Sequence, residues 1–180
     1  ISGGTYEQPR LLGHTGAADS VKDDQPAVRE STKKREAYFL NYAKAIREVA
    51  TMPLMVTGGF RSREAMEEAM NDGVCDVIGL GRPLCTHPDT PKQLMNGKIY
   101  RAASFENMLK LADKGIFSPV SPVLPLKLIN VLGAQAWYYQ QIFRLADGLE
   151  AKPSMSLIGA FFKYLFNEWT TAFRVKRATR

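Results

Sequence analysis

The amino-acid sequence predicts an α/β fold with a parallel sheet, continued by a helical extension. Two short apolar runs, Leu54-Met55-Val56 and Asp76-Val77-Ile78-Gly79-Leu80, each end in a glycine turn, and an amphipathic helical pattern lies between them. Strand, helix and strand joined by short connections require parallel pairing through a right-handed crossover. Beyond Lys98 this alternation stops, and prolines at 119, 122 and 125 precede two long helical patterns.

Taken in chain order, Ile1–Gly4 reads as the end of a strand entering a glycine turn. Residues 5–29, with Gly13, Gly16, Asp19, Asp23, Asp24 and Pro26, read as loop. From Glu30 to Ala50, Phe39, Leu40, Ala43, Ile46, Val49 and Ala50 recur every three or four positions, which predicts an amphipathic helix. Leu54-Met55-Val56 is too short for a helix and reads as a strand buried on both faces. A second helix is expected over Ser62–Asp72, capped by Ser62, stopped by Gly73, and carrying Ala65, Met66, Ala69 and Met70 on its apolar side. The run Asp76–Leu80 is the next buried strand, closed by Gly81-Arg82-Pro83, and a small helix is expected over Thr90–Asn96 before Gly97. The three later prolines are expected to break regular structure. Leu128–Leu145 and Met155–Phe173 then carry helical stripes with Trp137, Tyr138, Phe143, Phe161, Phe162, Leu165 and Trp169. Such stripes read as core or docking faces; a membrane-surface helix using the basic end Arg174, Lys176, Arg177 and Arg180 is the alternative.

Of 180 residues, 45% are hydrophobic and 23% charged, a composition that excludes a disordered tail. The net charge of +6 is not spread over the chain: residues 1–100 hold 13 basic and 13 acidic side chains, residues 101–180 hold 11 and 5. The basic end lacks an interleaved nucleic-acid module, so no nucleic-acid partner is expected. Cys75 and Cys85 are too few for a disulfide framework and form no CxxC pair, and they read as reduced thiols in a cytoplasmic setting. No run reaches the length of a membrane span; Met155–Phe173 is interrupted by Lys163, Asn167 and Glu168. The start at Ile1, without Met or a signal-like segment, is expected of a fragment.

The chemistry is expected at two glycine turns, Thr57-Gly58-Gly59-Phe60-Arg61-Ser62 and Gly79-Leu80-Gly81-Arg82-Pro83. Both follow parallel strands, whose carboxyl ends lie side by side, so the turns should face one another. Glycine admits a phosphate close to backbone N–H groups, a following helix start adds partial positive charge, and Arg82 can add a bidentate contact. A dinucleotide fingerprint is excluded because Leu84 stands where a third glycine or alanine is needed, and no GxxxxGK[ST] motif occurs.

Arg35-Glu36-Ala37-Tyr38-Phe39, Met55-Val56-Thr57-Gly58-Gly59-Phe60-Arg61-Ser62, and Asp76 to Leu84 with Pro88-Asp89 together resemble the NADH:flavin oxidoreductases of the old yellow enzyme family. Ser2-Gly3-Gly4-Thr5-Tyr6-Glu7 resembles the end of that family's sixth barrel strand. Trp137-Tyr138 with Gln141 and Arg144-Leu145 resembles the tail that follows the barrel in one branch. The resemblance implies the C-terminal portion of a (β/α)8 TIM barrel, from about the end of strand 6 to strand 8, over residues 1–97. Residues 98–180 would be a post-barrel helical extension with a basic tail. It further implies FMN as cofactor, NAD(P)H as reductant, and an electrophilic alkene or similar small molecule as acceptor. Carried over by position, the backbone at Gly58, Gly59 and Phe60, together with Gly81 and both the backbone and guanidinium of Arg82, would hold the FMN phosphate, with Arg61 pointing the same way.

The family's His/His or His/Asn substrate pair has no counterpart: Ala17 stands three positions after His14, and Thr90 three after His87. No catalytic or metal residue is therefore assigned, and the 180 residues alone are expected to be catalytically silent. Glu64, Glu67 and Glu68 read as solvated helix charges, and Asp23-Asp24 as a loop pair without metal-ligand spacing. Two other readings stay open, a barrel enzyme binding a phosphorylated substrate without flavin, and a non-catalytic half-barrel interaction module.

Overall fold

The computed structural model describes residues 40–174. The expectations for Ile1–Gly4, for the loop over 5–29, for His14 and for the first part of the Glu30–Ala50 helix lie outside these residues. So do Lys176, Arg177 and Arg180. The chain divides into two compact units between Ser104 and Phe105.

In the first unit the elements are α1 (Leu40–Arg47), β1 (Met55–Thr57), α2 (Arg63–Asn71), β2 (Val77–Gly79) and α3 (Thr90–Met95), with a 3-10 turn at Arg82–Cys85 before α3. The two strands pair in parallel with Met55 opposite Val77, Val56 opposite Ile78 and Thr57 opposite Gly79. A strand–helix–strand unit with a parallel sheet is thus present, and among the described residues the sheet has two strands and no closed barrel forms.

Strand residues alternate between faces. Val56 and Ile78 face a cluster built from Ala43 of α1, Ala65 and Ala69 of α2, and Phe60, Val74 and Cys75. The opposite face carries Met55 and Val77, which are 49% and 48% exposed. The expectation of strands buried on both faces is therefore corrected: α1 and α2 contribute to one side only. On the exposed face Gly79 is required by close approach, since a Cβ there would overlap the Oγ1 of Thr57 and sit 2.9 Å from its Cβ.

Helix α1 ends at Arg47, short of Ala50, where the Val49 and Ala50 N–H groups both turn back to the Ile46 carbonyl. Ile46 and Val49, expected on its apolar face, are exposed. Helix α2 starts after Ser62, whose backbone is extended as an N-cap requires, although its side chain makes no cap hydrogen bond. Its other end is a two-bond glycine cap. Gly73, at φ +67°, donates to the Met70 carbonyl, and Val74 donates to that of Ala69. The same motif closes α3, with Gly97 at φ +66° donating to Leu94 and Lys98 to Gln93.

Asp76 joins three elements. Its carboxylate accepts from the two terminal guanidinium nitrogens of Arg47, Nη1 and Nη2 (2.7 and 3.1 Å), and from the Leu54 N–H (2.8 Å). Its own N–H donates to the Leu54 carbonyl at 2.8 Å. The Leu54 N–H first and the Arg47 guanidinium second hold the Asp76 carboxyl below its ordinary value.

The second unit contains α4 (Leu124–Ala146) and α5 (Leu157–Arg174), with a 3-10 turn at Gly115–Phe117. Helix α4 begins four residues earlier than expected from Leu128, because Pro125 occupies its first turn instead of breaking the helix. There the missing N–H has no intrahelical partner to lose. Helices α4 and α5 pack through Ala134, Trp137, Leu157 and Ala160, joined by Leu109. A Cβ at Gly133 would sit 3.0 Å from the Leu157 Cγ, so this glycine sets how closely the helices approach. Buried polar groups hold the adjoining segments on α4. Asn130 accepts the Leu111 N–H at 2.8 Å and donates to the Phe117 and Leu126 carbonyls. Trp137 Nε1 donates to Met155, and Gln141 pairs with both backbone groups of Lys152.

Two outcomes test these anchors. A lowered Asp76 value means a stabilising contribution that is whole above the ordinary carboxylate range and lost as pH falls through the depressed value. Asp76→Asn should therefore lower the unfolding midpoint near neutrality and flatten its decline as pH falls below the ordinary carboxylate range of about 4. An acid slope equal to the parent's in urea titrations would contradict this. Asn130→Ala removes the side-chain partner of the part-buried Leu111 N–H and Phe117 carbonyl and should cost about 1 to 3 kcal/mol, read from the urea midpoint at constant slope.

Candidate functional site

The register that sets Thr57 opposite Gly79 brings the carboxyl ends of β1 and β2 together, so Gly58 and Leu80 begin two turns from neighbouring positions on one sheet edge. The first turn runs from Gly58 to Ser62 and leads into α2. Gly58 and Gly59 have φ of +115° and +81°, values that a side chain would strain, so both glycines are required by the path of the backbone. Phe60 is buried in the core cluster and anchors the turn, which leaves its backbone as the only part that can meet a ligand. The half-buried Arg61 donates from Nη1 to the Phe60 carbonyl at 2.8 Å.

An unforeseen segment braces this turn. Ser62 and Arg101 form an antiparallel bridge in which the Arg63 N–H donates to Tyr100 and the Ala102 N–H donates to Arg61 at 2.7 Å. Nothing local marks Tyr100–Ala102 for that role. The pairing joins residues nearly 40 positions apart, roughly beyond the reach of any periodicity window.

The second turn differs in kind. Gly81 has φ −108° and ψ −87°, outside both the helical and the extended regions, and among the described residues a Cβ added there would meet no atom within 4 Å. Its carbonyl accepts the Leu84 N–H at 2.9 Å and starts the 3-10 turn, with Arg82 half-buried at its head and Pro83 buried behind. The six expected positions thus fall on two adjacent turns: Gly58, Gly59, Phe60 and Arg61 on one, Gly81 and Arg82 on the other. The cleft of about 260 Å³ near Trp137 and the shallow one of about 370 Å³ near Arg47 are lined by none of them.

Groups set aside in the sequence behave as ordinary side chains. His87 is exposed, its Nδ1 3.0 Å from the Thr86 hydroxyl. Glu64, Glu67 and Glu68 are exposed on α2, with Glu67 paired to Arg63 at 2.6 Å. Burial pushes the thiols of Cys75 and Cys85 up, for Cys75 with help from the Asp76 charge, which is the opposite of nucleophile activation. Among the described residues no group of three or more His, Cys, Asp or Glu could hold a metal ion.

No protein-family model matches the chain. It is 41% identical over 149 residues to the NADH-dependent flavin oxidoreductase iccE of Talaromyces variabilis, covering 81% of this chain and 33% of that protein. It is 32% identical over 120 residues to the NADH-dependent flavin oxidoreductase iliE of Hypocrea jecorina, covering 66% and 26%. A bilirubin reductase of Mediterraneibacter gnavus is 29% identical over 85 residues, or 47% of this chain and 13% of its own length. The chain spans about a quarter to a third of the fungal relatives named here. By this similarity it is a homologue of the NADH-dependent flavin oxidoreductases and represents a partial region of that family.

Proposed function

We propose that this chain is the C-terminal part of a (β/α)8 barrel enzyme that uses NADH or NADPH and FMN to reduce an electrophilic alkene or a similar acceptor. Its share of the work is to hold the FMN phosphate. The observation that carries this reading is the pair of adjacent turns: Gly58 and Gly59, whose positive φ the backbone requires, leave the sheet beside Gly81, where among the described residues a Cβ would meet only open space. That open space admits a bound group. A phosphate there can approach the backbone at Gly58, Gly59, Phe60 and Gly81, and Arg82 supplies a charge-assisted contact. The start of α2 adds partial positive charge at the same sheet edge. FMN, when bound, supplies hydride chemistry. The chain's residues supply position and charge.

The exposed sheet face at Met55 and Val77 fits the same proposal. In a closed barrel those side chains point inward and are covered by the remaining strands. The 180 residues alone would then be silent as a catalyst, because the proton donor and the substrate-orienting pair of the family have no counterpart in them.

The test compares FMN with riboflavin, which lacks the phosphate, on the full-length protein that contains this region. Arg82→Ala should weaken FMN about tenfold or more and leave riboflavin unchanged, as expected for loss of a charge-assisted bond. Equal loss for both ligands, or a full-length protein that binds neither, would overturn the assignment. The 180-residue polypeptide with added FMN should show no NADH- or NADPH-dependent enone reduction; measurable turnover would contradict its silence.

A further inference from the structure

Helix α5 carries two apolar sectors, and among the described residues of the second unit only one of them packs against another element. Leu157 and Ala160 are buried against α4, and Tyr164 stacks on Tyr139 at 5.6 Å, which fixes the inner side. On another side Ile158, Phe162, Leu165, Phe166, Trp169 and Phe173 are 43–75% exposed. At about 100° per residue these six fall within an arc of roughly 100°, so they form one continuous stripe. The rings touch along it: Phe166 and Trp169 lie 6.5 Å apart, Trp169 and Phe173 4.9 Å. Isolated exposed side chains need no explanation, but a connected aromatic stripe of this length does.

Charge identifies the occupant. The exposed Lys163 and Arg174 lie on the polar sector beside the stripe, and α5 has a single acid, Glu168. The sequence continues with Lys176, Arg177 and Arg180, so residues 158–180 hold five basic side chains against that one acid. A second copy of the chain would bring the same positive charge to the contact. An anionic lipid surface matches both properties, accepting Phe and Trp at the level of its headgroups and attracting the flanking Lys and Arg. The helix would lie along such a surface and not cross it, since no described helix is long and apolar enough to span. We propose that the Ile158–Phe173 face of α5 docks on anionic membrane surfaces, making the protein a peripheral membrane binder.

Co-sedimentation of the full-length protein with phosphatidylcholine vesicles, with and without about 30% phosphatidylserine, tests this. Partitioning should rise about tenfold with phosphatidylserine and fall about fivefold as salt is raised severalfold. Phe166→Ser with Trp169→Ser should lower it about tenfold at unchanged helicity, whereas Trp169→Phe should retain it. Lys163→Glu with Arg174→Glu should abolish the lipid preference. Hydrogen exchange on the unmodified protein reads the same contact without substitution, as protection over residues 158–173 on addition of the anionic vesicles. Absence of that protection, equal partitioning to both vesicles, or a dimer dissolved by Trp169→Ser would overturn the proposal, the last assigning the face to a contact between copies.

Discussion

The reciprocal pairing of Asp76 with Leu54 is the constraint on which the first unit depends. The Asp76 N–H donates to the Leu54 carbonyl while its carboxylate takes the Leu54 N–H, which locks the two strand entrances in one register. A parallel pair of three residues per strand has little else to prevent a slip, and a slip of one would exchange its buried and exposed faces. The same carboxylate accepts from Nη1 and Nη2 of Arg47 and so ties the end of α1 to the sheet. Everything at the opposite strand ends inherits this register. Thr57 meets Gly79, and the two glycine turns leave the sheet side by side because Asp76 and Leu54 are paired at its start.

Much of this was legible in the sequence wherever one residue carries the physics. Gly73 and Gly97 mark helix ends because few other residues accept a left-handed backbone, and both helices stop where those glycines stand. The paired glycine turns were legible for the same reason at Gly58 and Gly59. Burial was less legible. An apolar run of three cannot say whether one face or two are covered, and Met55 and Val77 prove exposed. Pro125 shows how position decides a residue's effect: the ring that ends a helix from its interior opens one from its first turn. The bridge from Ser62 to Arg101, and the turn of the Arg61 guanidinium onto its neighbour's carbonyl, depend on contacts that no local pattern encodes.

The second unit is organised by a different device. Asn130, Trp137, Gln141 and Arg144 follow one another at helical spacings along α4, and each bonds to the backbone of a flanking segment. Asn130 holds the segment before the helix; the other three hold the turn that leads to α5. These polar side chains lie where an apolar stripe would be expected. Their partners are main-chain groups, which must be satisfied when buried and which hydrophobic packing alone could not orient.

Gly133 adds a final consequence. Because its missing Cβ makes room for the Leu157 side chain, the two positions act as a single unit of fixed combined volume. A larger residue at 133 requires the Leu157 side chain to give way by a few tenths of an ångström or more, so substitutions at the two positions should be coupled. A change at either position alone must be absorbed where α4 and α5 meet, on the side of α5 away from its aromatic stripe.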